Sequence, residues 1–288
     1  MNKFAVIDIG SNSVRLMFVA NGKILYKTLE TTRLGEGLSI APVLNSQTIE
    51  RSALAVKGFY EKAKNEGAEK IFAFATAAVR TAKNGSNFTA RVKELCGVEV
   101  EIVSGEAEAE LGILGALGEK DGGIIDIGGA STEIIFRTSG KIVYRKSVDV
   151  GVVRLKELCG RDKIRLEAAG KNAAYEFGKI PNGHTVYAIG GTATTLAAVY
   201  LGLEVYAPTK ITGTEISLLE IKKLTERFFA LSVEEIEKIP CVPEKRADVI
   251  TGGVALLSTL MQELGIDKII VSDSDNLEGY AKKCGLME

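Results

Sequence analysis

The 288-residue sequence contains no tryptophan, five prolines, one histidine and four cysteines. The cysteines are far apart and form no C-x-x-C pair, and His184 is the single imidazole available to them. This pattern argues against a zinc site, which needs clustered thiolate and imidazole ligands. We interpret each cysteine as a small, partly buried apolar side chain: Cys96, Cys159, Cys241 and Cys284.

An excess of either charge is also absent, because 36 Lys and Arg residues nearly balance 37 Asp and Glu residues. No overall field would draw the protein to nucleic acid or to an anionic membrane, so we expect neither as a partner. No apolar run reaches the roughly 18 residues of a membrane helix, and no basic-plus-apolar leader precedes the first strand. We therefore expect a cytoplasmic protein.

Two common phosphate-binding signatures are missing. The sequence has neither the G-x-x-x-x-G-K-[ST] pattern of a P-loop nor the G-x-G-x-x-G pattern of a dinucleotide site. Any phosphate site must therefore use a different loop chemistry, with a local basic lining.

The sequence does contain a duplication. An apolar strand that ends in a carboxylate, glycine and hydroxyl residues occurs at residues 122–133 and also at residues 5–15. With one aspartate placed on the other, the two segments share six positions, which predicts a repeated strand-turn-strand unit. The matched pairs are Ile7 and Ile125, Asp8 and Asp126, Ile9 and Ile127, Gly10 and Gly128, Ser13 and Ser131, and Phe18 and Phe136.

The order of elements repeats as well. Three short strands joined by hairpin turns, at residues 4–26, precede alternating helices and strands. The same order of elements begins again after a glycine-rich segment at residues 118–123. This order predicts α/β architecture, with two mixed sheets covered by helices and a cleft between them. We predict one domain at residues 1–119, which the segment 275–288 could complete, and a second at residues 120–274.

Three apolar strands run into turns that contain glycine and hydroxyl residues, at residues 8–13, 126–132 and 190–194. Such turns let consecutive backbone N–H groups converge on an anion, so they predict a phosphate site. Asp8 and Asp126 interrupt apolar strands, where a buried carboxylate is costly unless it is paired. Each aspartate either fixes its turn or holds a hard cation such as Mg²⁺.

These segments carry a family resemblance that extends in order from about residue 4 to about residue 280. The chain resembles the exopolyphosphatase/guanosine pentaphosphate phosphohydrolase family of the sugar kinase, Hsp70 and actin superfold. The most specific matches are Asp-Ile-Gly-Ser-Asn-Ser at residues 8–13 and Ala-Thr-Ala-Ala-Val-Arg at residues 75–80. Further matches lie at residues 33–38, 104–109, 126–133, 151–155, 190–192 and 246–248.

The resemblance implies two ribonuclease H-like (actin-like ATPase) domains and a hydrolase that removes the terminal phosphate of polyphosphate or guanosine pentaphosphate. It implies Mg²⁺ as cofactor and a homodimer as one option. By motif match, Glu108 would be the base for the attacking water and Arg80 would neutralise the terminal phosphate. Asp126, Asp8 and Glu133 would hold the metal. The implied phosphate-binding residues are Gly10, Ser11, Asn12, Ser13, Arg15, Gly128, Gly129, Ser131, Thr132, Gly190, Gly191 and Thr192.

The chain departs from the family pattern at four places. Ala107 and Glu110 replace a glutamate and an arginine, Ala130 replaces a glycine, and Leu277 stands where the pattern Gly-Leu-Arg-Glu-Gly has arginine. These departures motivate an alternative function, a phosphate or nucleotide sensor with little or no turnover. A kinase of the same superfold is a third option, although no acceptor site is evident. The sequence leaves Arg246 open, either as an ordinary helix-start residue or as a grip on the substrate.

Overall fold

The computed structural model describes residues 2–287, and its first half contains a five-stranded mixed sheet. The strand order is β3-β2-β1-β4-β5, in which β1, β2 and β3 are antiparallel and β4 and β5 run parallel to β1. The strands are β1 (Lys3–Ile9), β2 (Ser13–Ala20), β3 (Lys23–Thr31), β4 (Lys70–Ala75) and β5 (Val100–Ile102).

The second half repeats this plan in a six-stranded sheet of order β10-β11-β9-β6-β7-β8. Strands β6, β7 and β8 form the antiparallel meander, while β9 lies parallel to β6. The strands are β6 (Gly122–Ile127), β7 (Thr132–Thr138), β8 (Lys141–Val148), β9 (Val186–Ile189), β10 (Glu215–Ser217) and β11 (Lys268–Val271).

Twelve α-helices connect and cover the sheets within the described residues 2–287, where none is long and apolar enough to cross a membrane. They are α1 (Ser46–Asn65), α2 (Ala77–Thr81), α3 (Gly85–Cys96), α4 (Gly105–Leu117), α5 (Val152–Cys159), α6 (Lys163–Phe177), α7 (Gly190–Tyr200), α8 (Pro208–Ile211), α9 (Leu218–Ala230), α10 (Val233–Glu237), α11 (Ala247–Glu263) and α12 (Asn276–Lys283).

The predicted pair of mixed-sheet α/β domains with flanking helices is confirmed, and both predicted meanders form. The sequence pattern did not indicate helices α5 and α12. Helix α5 is only eight residues long and follows Gly151, which supplies no capping side chain, so it lacks an ordinary start signal. Helix α12 has such a signal, a capping box of Asp275 and Glu278.

Alternation along the strands places both duplicated aspartates on the same kind of sheet face. Residues two apart in a strand share a face, so Asp8 lies with Val6 and Asp126 lies with Ile124. Val6 packs in a cluster with Leu111 of α4, and Ile124 packs in a cluster with other residues of α4. Both aspartates therefore face the side of their sheet that α4 covers.

Helix α4 lies between the two sheets and contributes to the core of each. Ala109, Ile113 and Leu117 recur at helical spacing and pack with the second sheet, whereas Leu111 packs with the first. A helix that is apolar on several sides is stable only when it is buried on all of them. The two domains are therefore joined through a shared helix as well as across the cleft.

Helices α4 and α12 approach so closely that glycine is required at the contact. A Cβ on Gly115 would lie 2.7 Å from the carbonyl carbon of Asp275 and 2.9 Å from the amide nitrogen of Gly279, and it would overlap the Asp275 carbonyl oxygen. A Cβ on Gly279 would likewise overlap the carbonyl oxygen of Leu111. This contact anchors α12, which also packs beside β1.

We predict that Gly115→Ala destabilises the protein by roughly 1–3 kcal/mol, because the added methyl overpacks a backbone contact that cannot relax. The matched control is Gly58→Ala in α1, where an added Cβ would meet no atom beyond the helix's own backbone within 4 Å. That substitution should stabilise by about 0.5–1 kcal/mol, since alanine is the better helix former. Chemical denaturation measures both. Equal effects of the two substitutions would contradict the proposed close contact.

Candidate active site

A small cavity of about 100 Å³ opens where the strand ends of the two sheets meet, and we call it the cleft. Its walls come from both halves of the chain and from α4, α7 and α12. Most of the predicted site residues line it: Asp8, Gly10, Ser11, Asn12, Ser13, Arg15, Glu108, Asp126, Gly128, Gly129, Ser131, Gly190, Gly191 and Thr192.

Two loops of equivalent structure face each other across the cleft: loop 1 (residues 10–13) and loop 2 (residues 128–131). In loop 1 the Gly10 amide donates to the Ser13 carbonyl at 3.0 Å, and in loop 2 the Gly128 amide donates to the Ser131 carbonyl at 2.9 Å. The duplicated sequence therefore folds into duplicated turns, as the superimposed residues predict.

The segments that follow each meander donate hydrogen bonds to the main-chain carbonyl groups of loop 1 and loop 2. The amides of residues 32, 33 and 35 donate to the Ser11 and Asn12 carbonyls at 2.8–3.1 Å, and amides of residues 152–153 donate to the Gly128 and Gly129 carbonyls at 2.8–3.0 Å. In contrast, the amides of Ser11, Asn12, Gly129 and Ala130 donate to no protein acceptor within residues 2–287. Each loop therefore offers a pair of free donors, which suits an anion.

Loop 1 and loop 2 almost touch, which explains the glycine at position 129. A Cβ on Gly129 would lie 2.8 Å from Ser11 Cβ and 3.0 Å from the Asn12 amide nitrogen. Glycines 10, 128 and 129 do not have positive φ, so steric room rather than backbone freedom decides these positions. Ala130 also has an ordinary φ, so its departure from the family glycine leaves the backbone of loop 2 unstrained.

The amino end of α7 forms the third wall. Gly190 has φ of +78°, and a Cβ there would lie 2.5 Å from Asp126 Oδ1, so only glycine lets this helix start beside the carboxylate. A Cβ on Gly191 would overlap the guanidinium of Arg246, which rests on the main chain at that point. The free N–H groups of the first helical turn add positive potential to the cleft.

Arg246 has no ion-pair partner among residues 2–287. Burial lowers the pKa of its guanidinium, and nearby Arg15 lowers it further. An unpaired buried cation that lines the cleft is suited to an anionic ligand. The structure places Arg246 in the wall of the cleft, and its match to the family segment at residues 246–248 was the available sequence signal.

Glu108 lies in the first turn of α4, whose start is fixed by Ser104 accepting the Ala107 amide at 3.1 Å. Its carboxylate is 6% exposed, and Oε2 accepts from Arg80 Nη1 at 2.8 Å. Burial raises the pKa of Glu108 despite the Arg80 charge. Arg80 also donates to the Val103 carbonyl at 2.9 Å and does not line the cleft, so the structure places it behind Glu108 rather than beside the predicted phosphate.

Two other predicted residues also lie outside the cleft wall. Thr132 is fully buried and its hydroxyl donates to the Val150 carbonyl at 2.6 Å, so its side chain is already used. Glu133 lies directly across from Asp126 in the β6–β7 register, and its Oε1 accepts from Ser147 at 2.6 Å. Glu133 is therefore a buried neighbour of Asp126 outside the cleft wall.

The negative charges of most carboxylates around the cleft are only partly balanced by positive charges. Burial raises the pKa of Asp8 and Glu133, and it raises the pKa of Asp126 to about 7 with help from the charges of Asp275 and Glu108. Asp275 is the exception: burial opposes its charge, but Arg15 and Lys27 hold its pKa below the ordinary value. Extra positive charge at this place would stabilise the ionised forms.

The Arg15 guanidinium joins β2 to the carboxyl groups around it. Its Nε donates to Asp8 Oδ2 at 2.9 Å, and its two terminal nitrogens bond Asp8 and Asp275. Because both carboxylates are buried, this pair of contacts fixes the arginine side chain at the edge of the cleft. Arg15 therefore links β1, β2 and the start of α12.

The oxygen groups near the cleft fit a hard divalent cation. Asp8 Oδ1 and Glu133 Oε2 are buried without hydrogen-bond partners. Within residues 2–287, no three acidic, histidine or cysteine side chains converge closely enough to hold a metal alone. Unpaired carboxylate oxygens fit the chemistry of Mg²⁺, which is ordinarily bound by one or two carboxylates together with water and phosphate oxygens.

Thr76 and Asn276 line the cleft although the sequence interpretation did not select them. Thr76 follows β4 and lies close enough to hydrogen-bond the Glu108 carboxyl group. It belongs to the matched Ala-Thr-Ala-Ala-Val-Arg segment, which could have indicated it. Asn276 stands where the Gly-Leu-Arg-Glu-Gly pattern has leucine, which was the available signal, although α12 was not predicted.

Three of the remaining departures, Ala107, Glu110 and Leu277, lie away from the cleft, whereas Asn276 lines it. Glu110 is exposed and pairs with Arg145, as does Glu106 at 2.6 Å. Ala107 packs against the cluster that contains Leu277, which is 1% exposed. These substitutions therefore leave the groups around the cleft in place.

A much larger cavity of about 1130 Å³ adjoins the cleft, and we call it the outer cavity. The two share Arg15, Gly190, Gly191 and Arg246, so the arginines stand at the passage between them. The other walls include apolar and aromatic residues, among them Ile24, Tyr26, Leu29, Tyr206, Pro208, Val242 and Pro243.

The duplicated fold and the facing donor loops define a two-domain α/β protein with a candidate phosphate-binding cleft. The chain belongs to the Ppx/GppA phosphatase family, which it matches over residues 18–281, so the predicted resemblance is confirmed. It is 28% identical to exopolyphosphatase 2 of Mycobacterium tuberculosis over 98% of both chains.

Two further proteins are similar to this chain. The chain is 27% identical to the guanosine-5'-triphosphate,3'-diphosphate pyrophosphatase of Pseudoalteromonas translucida, over 96% of this chain and 58% of that longer protein. It is 30% identical to the Ppx/GppA family member of Aquifex aeolicus, whose crystal structure superimposes with a TM-score of 0.81 over 99% of this chain and 98% of that one. The similarity thus covers both domains.

The raised pKa of Asp126 predicts how the metal-free protein responds to pH. A carboxyl group whose pKa is higher in the folded than in the unfolded state stabilises the fold at low pH, and this contribution is lost as pH rises from about 4 through about 7. With a metal chelator present, the midpoint temperature of thermal unfolding should therefore decrease as the pH is raised from about 5.5 to about 8.

The Asp126→Asn variant serves as the control, since it cannot ionise at this position. Its midpoint should depend less on pH over the same range, as measured by thermal unfolding in the same chelator. An equally steep pH dependence in the variant would assign the effect to other groups.

Proposed function

We propose that this protein is a phosphoanhydride hydrolase that releases the terminal phosphate of inorganic polyphosphate by attack of water. The single observation that supports it most is the position of Glu108, a buried carboxylate at the cleft between two loops with free N–H donors. The names of the relatives, exopolyphosphatase and a guanosine nucleotide pyrophosphatase, support the same reaction class.

Binding of the terminal phosphoryl group would use main-chain donors first. The amides of Ser11 and Asn12 from one side and of Gly129 and Ala130 from the other would donate to its oxygens. Arg246 would neutralise part of the negative charge. Fixed donors of this kind stabilise charge on the transferring group without rearrangement, which is the main source of catalysis in phosphoryl transfer.

Glu108 would accept a proton from the attacking water. Burial raises the pKa of this carboxyl group, which makes it a stronger base than an exposed glutamate. The contact from Arg80 to Oε2 fixes the orientation of the carboxylate, so Arg80 would act by positioning the base. The proton would remain on Glu108 until the product leaves.

Mg²⁺ would be held by Asp126 and Asp8, with Glu133 behind them, and when bound it would offset negative charge on the phosphate oxygens. Asp126 and Asp8 lie in the cleft next to the free donors. Their raised pKa values mean that a cation and a proton compete for the same oxygens.

Guanosine pentaphosphate is a second candidate substrate, which the outer cavity favours. Its charged lining is balanced, with Arg15, Lys27 and Arg246 against Asp273, Asp275 and Glu278, so it is a poor channel for a long polyanion. Its aromatic and apolar walls suit a planar, uncharged base. A nucleotide could thus place its terminal phosphate in the cleft and its base in the outer cavity.

We expect Glu108→Gln to lower kcat for phosphate release by about 10²- to 10⁴-fold, because the amide keeps the shape of the carboxylate and cannot take the proton. Glu110→Gln is the matched control on the same helix, since Glu110 is exposed and pairs with Arg145. Release of inorganic phosphate from polyphosphate, measured with added Mg²⁺, gives both rates. Unchanged turnover in Glu108→Gln would remove it as the base.

The choice of substrate is tested with Tyr206→Ala, a change in the outer cavity away from the cleft. We expect KM for guanosine pentaphosphate to rise about 10-fold or more, because an aromatic wall is lost, whereas KM for short polyphosphate should change little. Equal changes for both substrates would contradict a base-binding role. Tight binding of both substrates with no phosphate release by the unsubstituted protein would instead favour the sensor alternative.

A further inference from the structure

The first residue of α12 reaches the cleft from the far end of the chain. Asn276 is 4% exposed, and its Nδ2 donates to Asp126 Oδ2 at 3.2 Å. The preceding residue, Asp275, already caps the helix by accepting the Leu277 amide at 3.1 Å. The Asn276 side chain is therefore not needed to start the helix, so its contact with Asp126 calls for another explanation.

Helix α4 provides the space that this amide occupies. Glu108, Gly112 and Gly115 are spaced four and three residues apart, so they lie along one stripe of α4. A Cβ on Gly112 would lie 3.1 Å from Asn276 Oδ1, and Gly115 is in contact with the residue that precedes the amide. The same stripe thus presents Glu108 to the cleft and leaves room for Asn276 beside it.

The hydrogen bond from Asn276 Nδ2 to Asp126 leaves the amide oxygen of Asn276 without a partner in the described part of the chain. Asn276 Oδ1 is buried and has no hydrogen-bond partner within residues 2–287. An apolar side chain would avoid this unsatisfied group, and the related family pattern has leucine at the corresponding position. A buried polar group that packing does not require, beside a carboxylate of the cleft, indicates a role in function.

The two oxygens of Asp126 have different surroundings. Oδ2 is taken by Asn276, while Oδ1 lies beside Gly190, where a Cβ would come within 2.5 Å. Because the carboxylate is planar and rigid, holding Oδ2 also fixes the position of Oδ1. Partners that orient a metal ligand in this way commonly change metal affinity by about 10- to 100-fold.

We propose that Asn276 is a positioning residue that holds Asp126 in the orientation needed to bind a divalent cation. The C-terminal helix is then part of the active site, since its first turn fixes Asp126 through Asn276 and Arg15 through Asp275. This inference rests on the proposed cation site, but it does not require that the protein hydrolyse polyphosphate.

The test is Asn276→Leu in the full-length protein, with Mn²⁺ as a stand-in for Mg²⁺ that electron paramagnetic resonance can count directly. We expect Mn²⁺ affinity to fall by about 10- to 100-fold. The unfolding midpoint in a chelator should stay the same or rise, because an unsatisfied buried oxygen is removed. The apparent KM for Mg²⁺ in phosphate release should rise as the affinity for the cation falls.

Asn87→Leu is the matched control, because Asn87 is an exposed residue in the first turn of α3. It should change neither Mn²⁺ affinity nor the unfolding midpoint. Unchanged Mn²⁺ affinity in Asn276→Leu, or a loss accompanied by a lower midpoint in the chelator, would overturn the positioning role. Absence of Mn²⁺ binding in the unsubstituted protein would also overturn it. Weaker Mn²⁺ binding without any phosphate release would sustain the role of Asn276 and instead refute the proposed hydrolase.

Discussion

The burial of α4 between the two sheets is the constraint on which the rest of the structure depends. Its residues Ala109, Ile113 and Leu117 pack in the core of the second domain, and Leu111 packs together with α12 against the first sheet. Its first turn carries Glu108 to the cleft, and its glycine stripe admits the start of α12. Because one helix serves both cores and the cleft, the position of the candidate base is set by packing energy that is spread over the whole molecule.

The cleft itself is built from repetition. Alternation along β1 and β6 turns Asp8 and Asp126 toward the side that α4 covers, and the loops that follow these strands adopt matching hydrogen bonds. The near contact between Gly129 and Ser11 brings the free amides of the two loops together. The site therefore gathers donors from the main chain and carboxylates from the strands, an arrangement suited to phosphate with a hard cation.

Charge explains why such a site needs a ligand. Asp8, Asp126, Glu108 and Glu133 are all buried, and burial raises the pKa of each. Arg246 is the opposite case, a buried cation without an ion pair among residues 2–287, whose pKa burial lowers. Bound cation and phosphate would stabilise both sets of charges at once. Without a ligand, the buried charges of the cleft are therefore poorly stabilised, as is common in sites that bind charged ligands.

The sequence by itself determined the duplication, both meanders, the three glycine-containing turns and the candidates Asp8 and Asp126, because strand alternation and turn chemistry are local properties. Glu108 became a candidate through the family resemblance. Only the tertiary structure decided that Arg80 supports Glu108 instead of lining the cleft, that Arg246 and Asn276 enter it, and that close approach rather than positive φ requires Gly129. These outcomes depend on contacts between segments far apart in the sequence, such as Asn276 with Asp126, 150 residues away, which no local pattern encodes.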